Sequence, residues 1–133
     1  MKTLSTTLCR LFFIFPFLLA WVSLHAADVA VNGVIYHIEN GEARVVGVED
    51  RKIREAAIAD EIDGCPVTGI GYTWDEIEDW APEGYPFMCC FNLSRVTLPK
   101  NLKIIGEGAF LYCHSLSSIT LPDGVESIWW GGF

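Results

Sequence analysis

The chain has 133 residues, with 17 acidic against 9 basic side chains and a formal net charge of −8. Such a charge repels the phosphates of nucleic acids and of anionic lipids, because phosphate binding depends on clustered Lys and Arg. We therefore expect no nucleic acid and no acidic membrane surface among the partners, and the length suits one small domain.

Residues 1–27 have the pattern of a cleaved secretory signal peptide. Two basic residues precede an apolar run over 11–24, and Ala26 and Ala27 supply small residues for cleavage after either one. The run is shorter than the ~20 residues of a membrane span and contains a proline, although a retained anchor is the alternative. Cleavage would remove two basic residues and no acidic one, leaving 7 basic against 17 acidic side chains, or −10. We expect an exported protein with no membrane span after cleavage.

Residues 28–52 predict a β-hairpin that forms an N-terminal cap. The stretch VNGVIYHIENGEARVVGV contains Asn40-Gly41, a dipeptide typical of a two-residue hairpin turn. Alternation with Tyr36 places His37 on the outer surface.

The stretch YTWDEIEDWAPEGYP, residues 72–86, predicts a short acidic helix. Thr73 and Glu76 have the spacing of a capping box, and acidic residues in the first turn complement the helix dipole. Tryptophan and tyrosine beside charge are typical of interfaces, so we expect a recognition surface here. The alternative is a loop whose aromatic side chains pack on the convex face of the protein. The acidic residues lack the spacing and glycine of a calcium loop, so we expect no metal.

Two consecutive lines of the sequence match at a shift of 23 residues. FMCCFNLSRVTLPKNLKIIGEGA covers 87–109, FLYCHSLSSITLPDGVESIWWGG follows it, and Phe133 would open a third line. In the second line, alternation points Ile119 and Leu121 inward and their neighbours outward along a short strand. A period of this length with Leu-x-x-Ile-x-Leu predicts stacked leucine-rich coils, each burying its neighbour's apolar side. The matched pairs are Phe87 and Phe110, Cys90 and Cys113, Leu93 and Leu116, Val96 and Ile119, Leu98 and Leu121, Pro99 and Pro122, Leu102 and Val125, and Ile105 and Ile128.

The motif Cys-x-x-Leu-x-x-Ile-x-Leu-Pro-x-x-Val/Leu-x-x-Ile-x-x-x-x-Phe resembles the bacterial leucine-rich repeat family typified by the BspA surface antigen. The resemblance covers roughly residues 29–133. It implies a leucine-rich repeat solenoid, mostly β with short helical or 3-10 turns, preceded by the hairpin cap. It also implies export, surface display and often adhesion to proteins, and it does not fix a ligand.

This resemblance divides the repeat region, 53–133, into three parts. A first coil, 53–86, carries 72–86 as an insert, because its step from Ile70 to the next repeat phenylalanine is seventeen residues instead of five. The repeats 87–109 and 110–133 follow, and we interpret the second as incomplete.

Aligning Ile58 with Leu98 and Leu121 predicts an outward ladder of side chains. Glu55 and Arg95 should then be lateral neighbours of opposite sign. The candidate binding residues, from the insert and from the ladder, are Trp74, Asp75, Glu76, Glu78, Asp79, Trp80, Glu55, Arg95, Thr97, Ser118 and Thr120.

Four cysteines remain after the predicted cleavage. Cys90 and Cys113 occupy matched positions, which predicts small buried apolar groups, with a disulfide between coils as the alternative. Cys65 and Cys89 lie outside these positions and flank the insert, and a disulfide between them would close a loop around it. The residues leave both pairings open.

Nothing in the sequence has the pattern of a catalytic site. His37 is predicted on the surface, and His114 is assigned to the variable polar position of Asn92, so no nucleophile has a base in reach. Adjacent cysteines without a second pair do not suit zinc. We expect no enzyme activity, no cofactor and no metal.

The end of the sequence predicts an open repeat. IWWGGF is apolar, whereas terminal repeats usually carry a polar cap. We interpret the chain as the N-terminal part of a longer array, and expect self-association through this uncapped end. The leading hypothesis is a secreted or cell-surface protein that binds a protein ligand, such as a host or matrix protein. The alternative is a structural spacer or a truncated repeat protein with no activity of its own.

Overall fold

The computed structural model describes residues 27–76 and 85–133. The predicted signal peptide, apart from Ala27, lies outside the described residues, and so does the part of the predicted acidic helix at 77–84. In the described ranges no helix has both the length and the apolar character to cross a membrane.

Regular structure in the described residues is mostly β. Short strands dominate because runs of alternating or β-branched residues are separated by Gly, Pro and Asp. A single 3-10 turn, Trp74–Glu76, is found in this part of the chain. The strands are β1 (Ala27–Val31), β2 (Val34–Glu39), β3 (Glu42–Val48), β4 (Glu55–Ala57), β5 (Glu61–Ile62), β6 (Cys65–Ile70), β7 (Arg95–Thr97), β8 (Ile104–Ile105) and β9 (Ser127–Ile128).

The first three strands form an antiparallel meander. Asn40 and Gly41 join β2 to β3 with φ of 53° and 82°, the pair of positive values that a type I′ turn requires. This confirms the predicted hairpin. Asn32 and Gly33 join β1 to β2 in the same way, with φ of 52° and 80°. The hairpin therefore has a third strand, β1, which the sequence interpretation missed.

Strands from the repeats continue this meander as one sheet. Its order is β1-β2-β3-β6-β8-β9, with β5 beside β6, and the successive pairs from β3 to β9 are parallel. Ile70 lies opposite Ile105, and Ile105 lies opposite Ile128. A second parallel sheet pairs β4 with β7 and places Ala56 opposite Val96. Equivalent residues of successive repeats thus lie side by side, which confirms the 23-residue register.

A column of phenylalanine rings repeats the same register. The Phe87 and Phe110 rings are stacked with centroids 5.0 Å apart and planes 8° apart. The Phe110 and Phe133 rings follow at 5.4 Å and 3°. Phe87 and Phe110 are buried, whereas Phe133 is 49% exposed. Each ring is therefore buried by the ring of the next repeat.

One core joins the meander to the repeats. Tyr36 from β2 is completely buried, and its hydroxyl accepts a hydrogen bond from the Ala59 N–H at 3.1 Å. Burial raises the pKa of Tyr36 above its usual value, and the hydrogen bond from Ala59 opposes this shift. The other core side chains include Val34, Val45, Val67, Ile70, Leu93, Leu102 and Ile105.

The predicted strand around Ser118 and Thr120 is not formed, which corrects the sequence interpretation. Both residues are exposed as expected, but Leu121, predicted to point inward, is 40% exposed. The equivalent strand of the preceding repeat is β7, and its inward residue Val96 is only 8% exposed. Weaker burial of the inward side chains leaves this segment without a ladder.

The phenylalanine column predicts a large, position-dependent loss of stability. Phe110→Ala removes a ring that is packed on both faces, and we expect it to lower the free energy of unfolding by about 3–5 kcal/mol. Phe91→Ala, a control in a repeat position that is 54% exposed, should cost less than about 1 kcal/mol. Urea unfolding of both variants measures the difference, and similar losses would contradict the stacked arrangement.

Candidate functional site

A cleft lies between the outer face of the β2–β3 hairpin and the start of the insert. Its volume is about 530 Å³. Residues from the hairpin, from β6 and from the insert line it: His37, Glu39, Asn40, Glu42, Ala43, Arg44, Thr68, Tyr72, Asp75 and Glu76.

Arg44 holds the insert against the hairpin. Its guanidinium donates two hydrogen bonds to the Glu76 carboxylate, at 2.8 and 3.1 Å, and one to the Gly71 carbonyl at 2.9 Å. The Arg44 Cζ also lies 5.0 Å from the centroid of the Tyr72 ring. A bidentate contact fixes the orientation of both partners more firmly than a single bond does. We refer to this group as the Arg44 clasp.

The β-sheet leaves room for the Arg44 clasp. Gly69 in β6 lies opposite Arg44 in β3. A Cβ at position 69 would lie 3.3 Å from the Arg44 Cγ, so a larger residue would crowd the arginine side chain. The absence of a side chain there lets the arginine extend across the sheet towards the insert.

The insert begins as its sequence predicts. The Thr73 N–H and hydroxyl donate to the Glu76 carboxylate at 2.8 and 2.9 Å, which confirms the Glu half of the capping box. Burial raises the pKa of the Glu76 carboxyl, but the Thr73 and Arg44 hydrogen bonds and the arginine charge outweigh it and lower the pKa below its usual value. The Glu76 carboxylate thus joins the capping box to the Arg44 clasp.

A close backbone contact with the following repeat positions Tyr72. The Glu107 N–H donates to the Tyr72 carbonyl at 3.0 Å. A Cβ at Gly106 would come within 2.5 Å of the same carbonyl oxygen, so only glycine permits this approach. The start of the insert therefore rests on the following repeat as well as on the hairpin.

The lining of the cleft is acidic. Arg44 is the sole Lys or Arg among its lining residues, and its charge is matched by Glu76. Glu39, Glu42 and Asp75 add negative charge, with Glu42 accepting a hydrogen bond from Thr68 at 2.9 Å. The negative charge of the lining favours polar or cationic groups in the cleft.

The predicted outward ladder is confirmed in part. Glu55 pairs with Arg95 in the β4–β7 register, and their side chains form an ion pair of 3.4 Å with 64% and 73% of their surfaces exposed. Thr97 occupies the next outward position of β7. Ser118 and Thr120 are exposed but lie on no strand. The ladder belongs to the two-stranded sheet, so it is a surface separate from the cleft of the larger sheet.

The insert residues predicted to bind have different positions. Asp75 and Glu76 line the cleft, whereas Trp74 is not among its lining residues and is 58% exposed. Glu78, Asp79 and Trp80 lie outside the described residues.

The Cys65–Cys89 disulfide, which the sequence left open, is not formed. Cys65 is disulfide-bonded, but not to Cys89, whose thiol is free. Cys65 is buried at the start of β6, whereas Cys89 lies in a turn with φ of 62° and is partly exposed, so the backbone directs the two side chains into different environments. Cys90 and Cys113 are also free. Burial raises the pKa of Cys113 to about 11, as expected for an unreactive packed thiol.

The position assigned to His114 is also wrong. At a shift of 23 residues it matches Phe91, and its ring stacks on Phe91 with centroids 5.8 Å apart and planes 13° apart. Tyr112 lies 6.0 Å from His114, and all three rings are exposed. Counting the repeat from Phe91 would have identified this aromatic cluster.

Among the described residues, no three His, Cys, Asp or Glu side chains are grouped so that they could hold a metal ion. The His37 Nδ1–H donates a hydrogen bond to the Asp28 carboxylate at 2.6 Å. This pair lies at the outer edge of the meander, where Asp28 is opposite His37 in the β1–β2 register.

Comparison with known proteins assigns the repeats. Residues 83–133 match the model of the family described as BspA type leucine rich repeat region (6 copies). These residues are therefore similar to a BspA-type leucine-rich repeat region. The match contains the whole phenylalanine column and the strands β7, β8 and β9. No curated protein and no solved structure shows significant similarity to the chain. Families of leucine-rich repeats typically mediate protein interactions, so the BspA-type region points to a protein-binding module.

The Arg44 clasp should make the free energy of unfolding depend on pH, and one variant should reduce this dependence. Because the Glu76 pKa is lowered from its reference of 4.5, its carboxylate stabilises the fold above that pH, and this contribution is lost as pH falls through the folded pKa. Glu76→Gln should therefore lose less unfolding free energy than the wild type between about pH 6 and about pH 3. The difference should be at most about 1 kcal/mol, since the side chain is 41% exposed.

Asp75→Asn is the matched control, because it removes the same charge one residue away from the clasp. On acidification, the Asp75→Asn protein should lose nearly as much unfolding free energy as the wild type does. Chemical unfolding at both pH values measures all three proteins. An unchanged pH dependence in Glu76→Gln would show that the clasp does not hold the carboxylate.

Proposed function

We propose that the protein is exported, is secreted or displayed on the cell surface, and acts there as a non-catalytic module that binds a protein ligand. The parallel register of successive repeats supports a short solenoid, capped at one end by the meander. The proposed layout is a signal peptide at 1–27, a cap at 28–52 and a repeat region at 53–133. The BspA-type match supports the protein-binding part of this proposal.

The observation that carries the proposal is an exposed tryptophan on an anchored turn. Trp74 is 58% exposed, yet the two residues that follow it belong to a turn fixed by the capping box and by the Arg44 clasp. Large aromatic side chains on rigid supports lose little entropy on binding and are typical of interface hot spots. We propose that Trp74 and Asp75, together with the residues Glu78, Asp79 and Trp80 that follow in the sequence, form the main recognition surface.

The outward ladder is proposed as a second, weaker contact surface. The Glu55–Arg95 pair is exposed and contributes little to stability, so its side chains are available to pair with charges on a ligand. Three further polar residues of the proposed surface are also exposed, namely Thr97, Ser118 and Thr120. Charged residues at the edge of an interface chiefly affect the association rate and its dependence on salt.

Ligand binding should depend on the insert. Trp74→Ala should weaken binding to an immobilised extracellular-matrix extract by at least roughly tenfold, which is the loss expected at a hot spot. Trp130→Ala is the control, because Trp130 is also strongly exposed, at 77%, and lies outside the insert. Biosensor titration of both variants and of the wild type measures the effect.

Equal losses in both tryptophan variants would place recognition elsewhere. An absence of binding by the wild-type protein to any matrix or cell-surface preparation would instead favour the spacer interpretation.

Export predicts a defined mature N-terminus. Cleavage after Ala26 or Ala27 would leave β1 with its Asp28–His37 contact intact, since both lie after the cleavage site. Mass spectrometry of protein recovered from the medium or cell surface should therefore find a chain that begins at residue 27 or 28. Recovery of the protein only inside the cell, with Met1 retained, would contradict export.

A further inference from the structure

Basic side chains concentrate in the loop that joins the meander to the repeats. Arg51, Lys52 and Arg54 all lie in this loop, between β3 and β4, and all three are exposed. Among the described residues, no carboxylate lies within ion-pair distance of any of them. The net charge of the chain is −8. The loop therefore presents cations that a partner could neutralise, on a protein that is otherwise acidic.

The loop is fixed against a turn of the next repeat. The Arg54 carbonyl accepts hydrogen bonds from the Ser94 N–H at 2.8 Å and from the Ser94 hydroxyl at 3.2 Å. Further along the turn, the Arg51 guanidinium donates to the Met88 carbonyl. A surface that is already ordered loses less entropy when it binds a partner.

An exposed aromatic pair adjoins the loop. Phe91 lies between Met88 and Ser94 in the same turn and is 54% exposed, although His114 of the next repeat already stacks on its ring at 5.8 Å. The Ser115 hydroxyl donates to the Phe91 carbonyl at 2.6 Å, which ties the two repeats together at this point. The exposure of Phe91 is therefore that of a ring whose neighbouring repeat is in place. We call this surface the basic face, and its residues are Arg51, Lys52, Arg54, Phe91 and His114.

Three acidic residues flank the basic face. Glu55 is paired with Arg95 at 3.4 Å, so that pair adds no net charge. The Asp50 carboxylate accepts a hydrogen bond from the Lys52 backbone N–H at 2.9 Å and so holds the loop in its turn. With Asp50 and Glu49 both counted, the three cations of the basic face still leave an excess of positive charge.

We propose that the basic face binds a short acidic segment of a protein partner, and that an apolar side chain of this segment packs against Phe91. Arginine and aromatic residues that adjoin on an ordered surface are typical of interface hot spots. A guanidinium also binds a carboxylate through two parallel hydrogen bonds, which gives direction as well as strength. The proposal adds to the acidic insert a second recognition surface of opposite charge, and it rests on the proposed function only in that the ligand is a protein.

The charge distribution favours a short segment over a long polyanion. At physiological salt a charge is screened beyond about 8 Å, so a short acidic segment experiences mainly the cations next to it. A nucleic acid or a sulfated polysaccharide would extend over the acidic remainder of the surface, which repels it. The exposed ring of Phe91 in turn favours a peptide that carries an apolar side chain over a small inorganic anion.

Fluorescence anisotropy of the purified protein with labelled peptides tests the proposal. The probe is the peptide Glu-Glu-Phe-Glu-Glu, for which we expect a Kd below about 1 mM. Replacing its four glutamates by glutamine should weaken binding by at least roughly tenfold, and replacing its phenylalanine by alanine by roughly three- to tenfold.

Variants of the protein locate the site. The double variant Lys52→Glu, Arg54→Glu should weaken binding of the probe by at least roughly tenfold, because it reverses two charges of the basic face. Lys103→Glu is the matched control, since Lys103 is also exposed and also lacks an ion pair among the described residues, but lies outside the basic face. Phe91→Ala should remove the preference for the phenylalanine peptide over the alanine peptide. Circular dichroism checks that each variant is folded, and the separate change at Phe91 keeps the test valid if the double variant is not.

A further variant separates this proposal from recognition by the insert. Trp74→Ala should leave binding of the probe unchanged, because Trp74 lies in the insert and not in the basic face. The peptide assay does not use the matrix ligand, so either proposal can fail while the other stands.

Loss of binding in the double variant, with its retention in Lys103→Glu and Trp74→Ala, supports the proposal. No binding of the probe by the wild-type protein, equal losses in the double variant and the Lys103→Glu control, or loss in Trp74→Ala would overturn it. Tighter binding of a heparin fragment than of the peptide would also overturn it, because the basic face would then be a site for polyanions.

Discussion

Hydrogen bonds between equivalent positions of successive repeats set the geometry of the rest of this protein. The Gly106 N–H donates to the Ile70 carbonyl at 2.7 Å, and the Trp129 N–H donates to the Ile105 carbonyl at 2.9 Å. Each bond links a residue to the one that follows its counterpart in the next repeat. A slip of one residue would turn every inward side chain of the strand outwards, so the apolar pattern and the hydrogen bonds enforce one register. The phenylalanine column follows from that register.

The meander is part of the same arrangement, because β3 serves as the parallel neighbour of β6. This connection gives the hairpin a second role beyond covering the first repeat. It places Arg44 on the face of the sheet from which the insert leaves, and the Arg44 clasp then fixes the first turn of the insert. The insert thus begins from a defined position. Recognition by the insert, as proposed, depends on this anchoring.

The repeat arrangement could be predicted from the sequence because its signals are periodic or local. The 23-residue match fixes which residues stack in the last two repeats, and aligning Ile58 with Leu98 places Glu55 beside Arg95. Asn40-Gly41 identifies its turn because few other residues tolerate two positive φ values in succession. The capping box likewise depends on residues three positions apart.

The remaining features depend on contacts between distant residues or on residues that carry two signals. Arg44 and Glu76 are 32 positions apart, and neither has a local pattern that indicates the other. Ala27 opens β1 but also resembles a cleavage site, which concealed the first strand and its Asn32-Gly33 turn. The unformed strand near Ser118 shows that a matching pattern does not suffice when Leu121 is left 40% exposed. The free thiol of Cys89 reflects a backbone turn that spacing along the chain does not reveal.

The most direct test of this account is a set of nuclear Overhauser effects between backbone protons of adjacent parallel strands. The account predicts cross-peaks that connect Ile70 with Ile105 and Ile105 with Ile128, at sequence separations of 35 and 23 residues. Cross-peaks displaced by one residue along either strand, or their absence in a folded sample, would contradict the register on which the fold and both proposals depend.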